Sequence, residues 1–174
     1  MYKKTSHKKR YQRTFLFLKT HISKESKILD LGVENPFSDF LKSEGFKIEN
    51  TNGEDLDEDL SAVLDTDAAV ITAFEILEHL LSPYVLLKEI KAKKLLISVP
   101  LKLWFSSAYR SSTDLRDRHY HEFEAWQLDW LLEKTGWTII ASDKWTNPTK
   151  KIGFRTLFRF FVPRYYLVYA EKRD

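Results

Sequence analysis

Lys27-Ile-Leu-Asp-Leu-Gly32 is a short apolar run that ends in glycine, and its surroundings decide what it is. Before it, Tyr11, Phe15, Leu18 and Ile22 recur at the spacing of one buried helix face, so a helix over 11–22 leads into a first strand. After it, Pro36, Phe37, Phe40 and Leu41 carry a helical pattern as far as Gly45, a helix stop. Phe46-Lys-Ile-Glu49 then alternates like a strand, and Asn50-Thr-Asn-Gly53 supplies turn chemistry. A strand, a helix and a second strand in this order imply a right-handed crossover and a parallel sheet.

The alternation continues down the chain. Residues 68–73 read as a buried strand, 74–81 as a helical segment, Ser82-Pro83 as the start of a helix through Ile90, and 94–99 as a strand closed by Pro100. A loop-rich stretch over 101–121, an amphipathic helix over 124–134, Gly136, and strands over 137–141 and 165–170 follow. The expected fold is α/β: a doubly wound, Rossmann-like, mostly parallel sheet with an antiparallel last strand. It occupies one compact domain over 1–174, with a basic helical segment at 1–26 and an unassigned insertion at 146–164.

Composition narrows the setting. A chain of 174 residues that is 43% hydrophobic buries one core, with little left for a second. It has no cysteine, so neither disulfides nor a thiolate zinc site can form, which fits a reducing cytoplasm. The apolar stretch behind the basic amino terminus covers only 15–18, too short for a signal peptide, and no run approaches the ~20 residues of a membrane span. Net charge is +3, with cations at both ends and an acidic stretch over 49–67, which is unlike a uniform nucleic-acid grip. Near the carboxyl end, Lys150, Lys151, Arg155, Arg159 and Arg164 interleave with Phe154, Phe158, Phe160 and Phe161. That stretch is either a face for lipid headgroups or RNA, or core with a solvated basic rim.

Four stretches carry a resemblance: Ile28-Leu-Asp-Leu-Gly32, Phe74-Glu-Ile-Leu-Glu-His-Leu80, Leu96-Ile-Ser-Val-Pro100, and His119-Tyr-His-Glu-Phe123 followed by Trp126-Gln-Leu128 and Gly136-Trp137. In this order and near this spacing they resemble class I S-adenosylmethionine-dependent methyltransferases of the ubiquinone-biosynthesis-like group. The resemblance implies that Asp30 and Gly32 open the cofactor turn, and that Asn52, with Asp55 nearby, meets the ribose. It further implies that Thr72, Ala73 and Phe74 pass the methionine part, with Phe74 screening the methyl group from water. Glu34 and Pro36 stand where the family has its next glycines, and the family's third strand is not legible between Leu56 and Asp67. Both departures leave open a methyltransferase-like binding module without catalysis.

The acceptor side is expected over 101–121, with His119 or His121 as general base and a small molecule as acceptor. Glu75, Glu78 and His79, spaced i, i+3 and i+4, would share one face of a helix and, with His119 or His121, suit Mg²⁺. Such a set resembles magnesium-dependent RNA 2′-O-methyltransferases and quinone-precursor O-methyltransferases. Core packing through Ile76, Leu77, Leu80 and Leu81 explains the same segment with no metal ligands at all.

Overall fold

The computed structural model describes residues 4–148 and 154–173; Lys150 and Lys151 of the basic aromatic stretch lie outside them. Every strand expected from the alternation forms: β1 (Lys27–Asp30), β2 (Lys47–Asn50), β3 (Val70–Phe74), β4 (Lys94–Pro100), β5 (Trp137–Trp145) and β6 (Tyr165–Lys172). They make one sheet in the order β2-β1-β3-β4-β6-β5. β1 runs parallel to β2 and β3, β3 runs parallel to β4, and β6 is antiparallel to both β4 and β5. The chain moves outward from β1 to β2 and then returns to the other side of β1, so a cleft opens beyond the carboxyl ends of β1 and β3.

Alternate residues of these strands feed two apolar layers. Ile28, Val70, Leu96 and Tyr169 pack beneath Leu18 and Ile22 of α1 (Lys4–His21) and Phe37 and Leu41 of α2 (Pro36–Ser43). Leu29, Ile71, Leu95 and Ile97 pack beneath Val63 of α3 (Ser61–Leu64), Leu86 and Leu87 of α4 (Pro83–Glu89), and Leu128 and Leu132 of α5 (Ala125–Lys134). The alternation also puts buried Asp30, Thr72 and Ser98 on the α1/α2 side. This polar row within an apolar layer marks where the site is.

Several elements depart from expectation. The first helix starts at Lys4, ahead of Tyr11, and β5 runs on to Trp145. Between Leu56 and Asp67, where the sequence shows no third strand, the chain forms α3 and turns, in agreement with that reading. The helix expected over 74–81 does not form. Glu75 adopts a left-handed φ of 59°, and only a single 3₁₀ turn follows at Leu77–His79. The cause is the sheet: the Glu75 N–H bonds to the Ser98 carbonyl at 2.9 Å, extending the β3–β4 ladder until the chain must reverse sharply. α4 begins at Pro83 as read, but Ser82 makes no side-chain cap. The Asp57 carboxylate caps instead, accepting from the Leu81 and Ser82 N–H groups at 2.7 and 2.9 Å. Within 146–164 the chain forms a short helix, α6 (Phe154–Phe158).

Candidate functional site

Two cavities lie at this end of the sheet, and Arg10 lines both. The smaller, about 250 Å³, is walled by Asp30, Gly32, Asn35, Phe74, Ile76 and Ser98, with Tyr11 and Phe37 closing one side. Asp30 accepts from the Thr72 hydroxyl at 2.6 Å and the Asn50 amide at 3.2 Å. Burial pushes its pKa up to about 6 against the pull of those two bonds. Gly32 takes a φ of +147°, which a side chain would resist, and its N–H donates to the Thr51 hydroxyl at 2.8 Å.

The two residues that replace glycines here have local work. Asn35 caps α2, its side-chain oxygen accepting from the Phe37 and Ser38 N–H groups at 2.9 and 3.2 Å. Pro36 falls in the first turn, where a missing N–H costs no helical bond. Glu34 pairs with Lys42 on the surface and is not part of the cavity wall. Its negative charge is therefore directed elsewhere. The Asn50 Oδ1 is buried without a partner among the described residues. A guanidinium, a buried carboxylate and an apolar wall at Phe74 and Ile76 suit a ligand bearing both charges of a free amino acid.

The larger cavity, about 540 Å³, holds Glu78, His79 and His119, with Arg110, Arg159 and Arg164 on its wall. Glu78 is 1% exposed, and its Oε2 has no partner among the described residues. His79 Nδ1 lies 3.0 Å from the Arg118 carbonyl and so donates a proton to it, and its Nε2 lies 3.9 Å from Glu78 Oε1. The His119 ring stands edge-on to His79, with centroids 4.7 Å apart. Burial, then the charge of His79, holds the His119 pKa down at about 4, so this imidazole is neutral in neutral solution. Burial and the neighbouring Glu75 push Glu78 well above the usual carboxylate range.

Backbone bonds hold this group together. The Tyr120 and His121 N–H groups donate to the Glu78 carbonyl at 2.8 and 3.2 Å, pinning the loop that carries His119 to the turn that carries Glu78. One coordinating atom each from Glu78, His79 and His119 can lie within 4.8 Å of the others. A neutral imidazole beside an unanswered carboxylate can take up a proton, and the three together can hold a cation.

The remaining expected residues are distributed differently. Glu75 does not join Glu78 and His79, because no helix carries them. Its Oε1 accepts from the Ser98 hydroxyl at 2.8 Å and its Oε2 faces Arg10 at 3.5 Å. Those bonds hold a left-handed residue whose backbone costs on the order of 1 kcal/mol. Thr72 and Ala73 sit inside the sheet, Thr72 holding Asp30. Asn52 is off the cavity wall, its backbone N–H and amide both donating to Glu54 at 2.8 and 3.2 Å. Asp55 accepts from the Asp57 N–H at 3.1 Å. His121 lines a separate cleft, its Nε2 3.3 Å from the Leu81 carbonyl, so it does not act beside His119. Sequence reasoning passed over Arg10 and Asn50, and it put Arg164 on the basic aromatic stretch, not on the cavity wall where it lies. Asn50 was within reach, since it is the in-register neighbour of Asp30 on β2.

Residues 4–142 match a family model described as a methyltransferase domain. In structure the chain is similar to a SAM-dependent methyltransferase from Archaeoglobus fulgidus, with a TM-score of 0.63 and 18% identity over 93% of this chain and 94% of that one. It is also similar to 1,6-didemethyltoxoflavin-N1-methyltransferase of Burkholderia thailandensis, solved with 1,6-didemethyltoxoflavin and S-adenosylhomocysteine bound. There the TM-score is 0.58, with 20% identity over 94% of this chain and 78% of that one. No curated protein matches the chain in sequence. At these identities the solved structures speak for the fold.

Proposed function

The chain belongs to the methyltransferase-domain family, and from that premise we propose that it moves a methyl group from S-adenosylmethionine to a small-molecule acceptor in the larger cavity. The observation that carries the reading is the junction of the two cavities: Arg10 lines both, and the 74–76 segment supplies Phe74 and Ile76 to one and Glu75 to the other. Bound S-adenosylmethionine supplies a methyl carbon already activated by its sulfonium, so the protein's task is mainly to position two reactants.

Arg10 and Asp30 would hold the carboxylate and ammonium of the donor's amino-acid end. Gly32 keeps the turn open there, Thr72 fixes Asp30, and Phe74 and Ile76 exclude water. Asn52 and Asp55 belong to the turn beyond β2 and would close on the sugar end. On the acceptor side, neutral His119 takes the proton released by an oxygen or nitrogen nucleophile, while Arg110, Arg159 and Arg164 favour an anionic acceptor. A cavity near 540 Å³ is the size of a small-molecule site, which supports a compact acceptor. The absence of cysteine fits a cytoplasmic setting, and we read 1–174 as one methyltransferase domain with an insertion at 146–164. Calorimetric titration with S-adenosylmethionine and S-adenosylhomocysteine tests the reading. Saturable binding of both is expected; binding of neither would make the chain a non-catalytic module.

A second reading adds a divalent cation at Glu78, His79 and His119. Glu78 Oε2 favours it: a buried carboxylate oxygen without a partner is costly unless a charge answers it. The His79 Nδ1–H bond to a carbonyl is also the support a metal-binding imidazole needs. Two imidazoles and one carboxylate suit Mn²⁺, Fe²⁺ or Zn²⁺ better than Mg²⁺, which prefers oxygen. Titration with Mn²⁺ should give one site in the native chain and none in Glu78→Ala. Unchanged turnover in chelator would remove the cation from the reaction.

A further inference from the structure

Beyond the two cavities, the outer surface around α6 carries an arrangement that methyl transfer does not use. Trp104 is 68% exposed, Phe154 73%, Leu157 58%, Phe160 54% and Phe161 74%. They are not scattered. Phe158 joins three rings, lying 4.9 Å from Trp104, 5.4 Å from Phe105 and 4.8 Å from Phe154, so the 103–106 loop and α6 form one aromatic plate. Leaving large apolar side chains in water forgoes the stabilisation that burial brings, and a contiguous exposed patch marks a surface that is covered in use.

Charge indicates what covers it. From Lys144 to Arg164 the sequence contains Lys144, Lys150, Lys151, Arg155, Arg159 and Arg164 and not one aspartate or glutamate. A second exposed aromatic pair provides the contrast within the same molecule. Trp126 and Trp130 of α5, 4.8 Å apart, stand among Glu122, Glu124, Asp129 and Glu133. Aromatic rings at a water–apolar boundary, on a stretch whose only charged residues are cations, fit an anionic bilayer surface, where the rings enter the headgroup layer and the cations meet phosphates. The plate also adjoins the larger cavity: Leu103, Ser106 and Arg159 belong to its two segments and line that cavity.

We propose that the α6 plate docks this protein reversibly on anionic lipid surfaces, with the mouth of the larger cavity beside the headgroups. The plate is independent of turnover, so docking is measured without donor or acceptor and stands or falls apart from the methyl-transfer reading. The experiment is co-sedimentation of the full chain with vesicles of phosphatidylcholine alone or mixed equally with phosphatidylglycerol. Native protein should partition at least about tenfold more strongly onto the mixed vesicles. The exposed double variant Phe160→Ser/Phe161→Ser should lose about tenfold or more, while Trp126→Ser/Trp130→Ser keeps native partitioning, with circular dichroism confirming the fold of each.

Failure of the native chain to pellet with the mixed vesicles overturns the proposal. So does binding that salt abolishes and the phenylalanine variant leaves untouched, which would be charge attraction alone. A dimer in light scattering that the phenylalanine variant dissolves, or tight binding of single-stranded RNA by protein that ignores vesicles, would assign the plate to a second copy or to RNA.

Discussion

Asp30 and Glu78 are both buried carboxylates near the cleft end of the sheet, and the protein treats them in opposite ways. Asp30 is answered from within: the Thr72 hydroxyl and the Asn50 amide both donate to it. Glu78 has one oxygen with no donor among the described residues, and its near neighbours are His79 and Glu75. The first arrangement is a finished part of the fold that shapes a binding wall. The second is an incomplete set of interactions that makes sense once a proton, a cation or an acceptor completes it.

The comparison is sharpened most by His119, which shares the Glu78 cavity. With an acceptor in hand, His119→Ala should lower turnover by about 10²–10³ with little change in donor affinity, as for loss of a general base or a ligand. An equal loss in donor binding by calorimetry would break the division between the two cavities.

Asp30 comes next. Its folded pKa of about 6 lies above its ordinary 3.8, so the native state holds this proton more tightly than the unfolded chain does. The stabilisation is complete below pH 3.8 and is lost as pH rises through about 6. Asp30→Asn should remove roughly 2–3 kcal/mol of that pH dependence in urea melts, and Asn50 can flip its amide to pair with the new side chain. An unchanged slope would mean that other groups set it.

Glu78→Gln should have a smaller effect on stability, present only above the ordinary carboxylate value of 4.5. The raised Glu78 pKa means that the native chain loses stability as the group ionises, whereas glutamine cannot ionise. The variant should match the native protein below about pH 4.5 and exceed it by about 1–2 kcal/mol in alkaline buffer. A destabilised variant would show that Glu78 is satisfied after all. Smallest of all, Asn52→Asp should tighten donor binding by about threefold to tenfold, since a carboxylate accepts two hydroxyl hydrogens where a carboxamide accepts less well. No change in calorimetric affinity would take the 52–55 turn out of the donor site.

Much of the fold was readable because strand and helix signals are local. The runs around Ile28, Val70 and Leu96 are buried on both faces and read as continuous apolar stretches, and the pattern at Leu18 and Ile22 has helical period. The site was less readable. Glu75 to His79 carries a helical pattern, yet a hydrogen bond to Ser98, far away in sequence, forces Glu75 left-handed and turns its side chain toward Arg10. His119 and His121, two residues apart, would share one face of a regular strand, yet they line different cavities because the loop bends at Tyr120, where the Tyr120 and His121 N–H groups both turn to the Glu78 carbonyl. Glu34 and Pro36 depart from the family's glycines in sequence, and only the structure pairs Glu34 with Lys42 and starts a capped helix at Pro36.

The sequence by itself determined the strands, the helices other than the one expected over 74–81, the parallel crossover and the position of the first turn at Gly32, because periodicity and glycine act over a few residues. Tertiary structure alone decided that Arg10 lies between two cavities, that Asn50 and Thr72 converge on Asp30, and that Glu78 keeps an unanswered oxygen beside two imidazoles. Those facts depend on strand register and on which loop bonds to which turn. Such pairings join residues far apart in the chain, and their geometry exists only once the sheet is assembled.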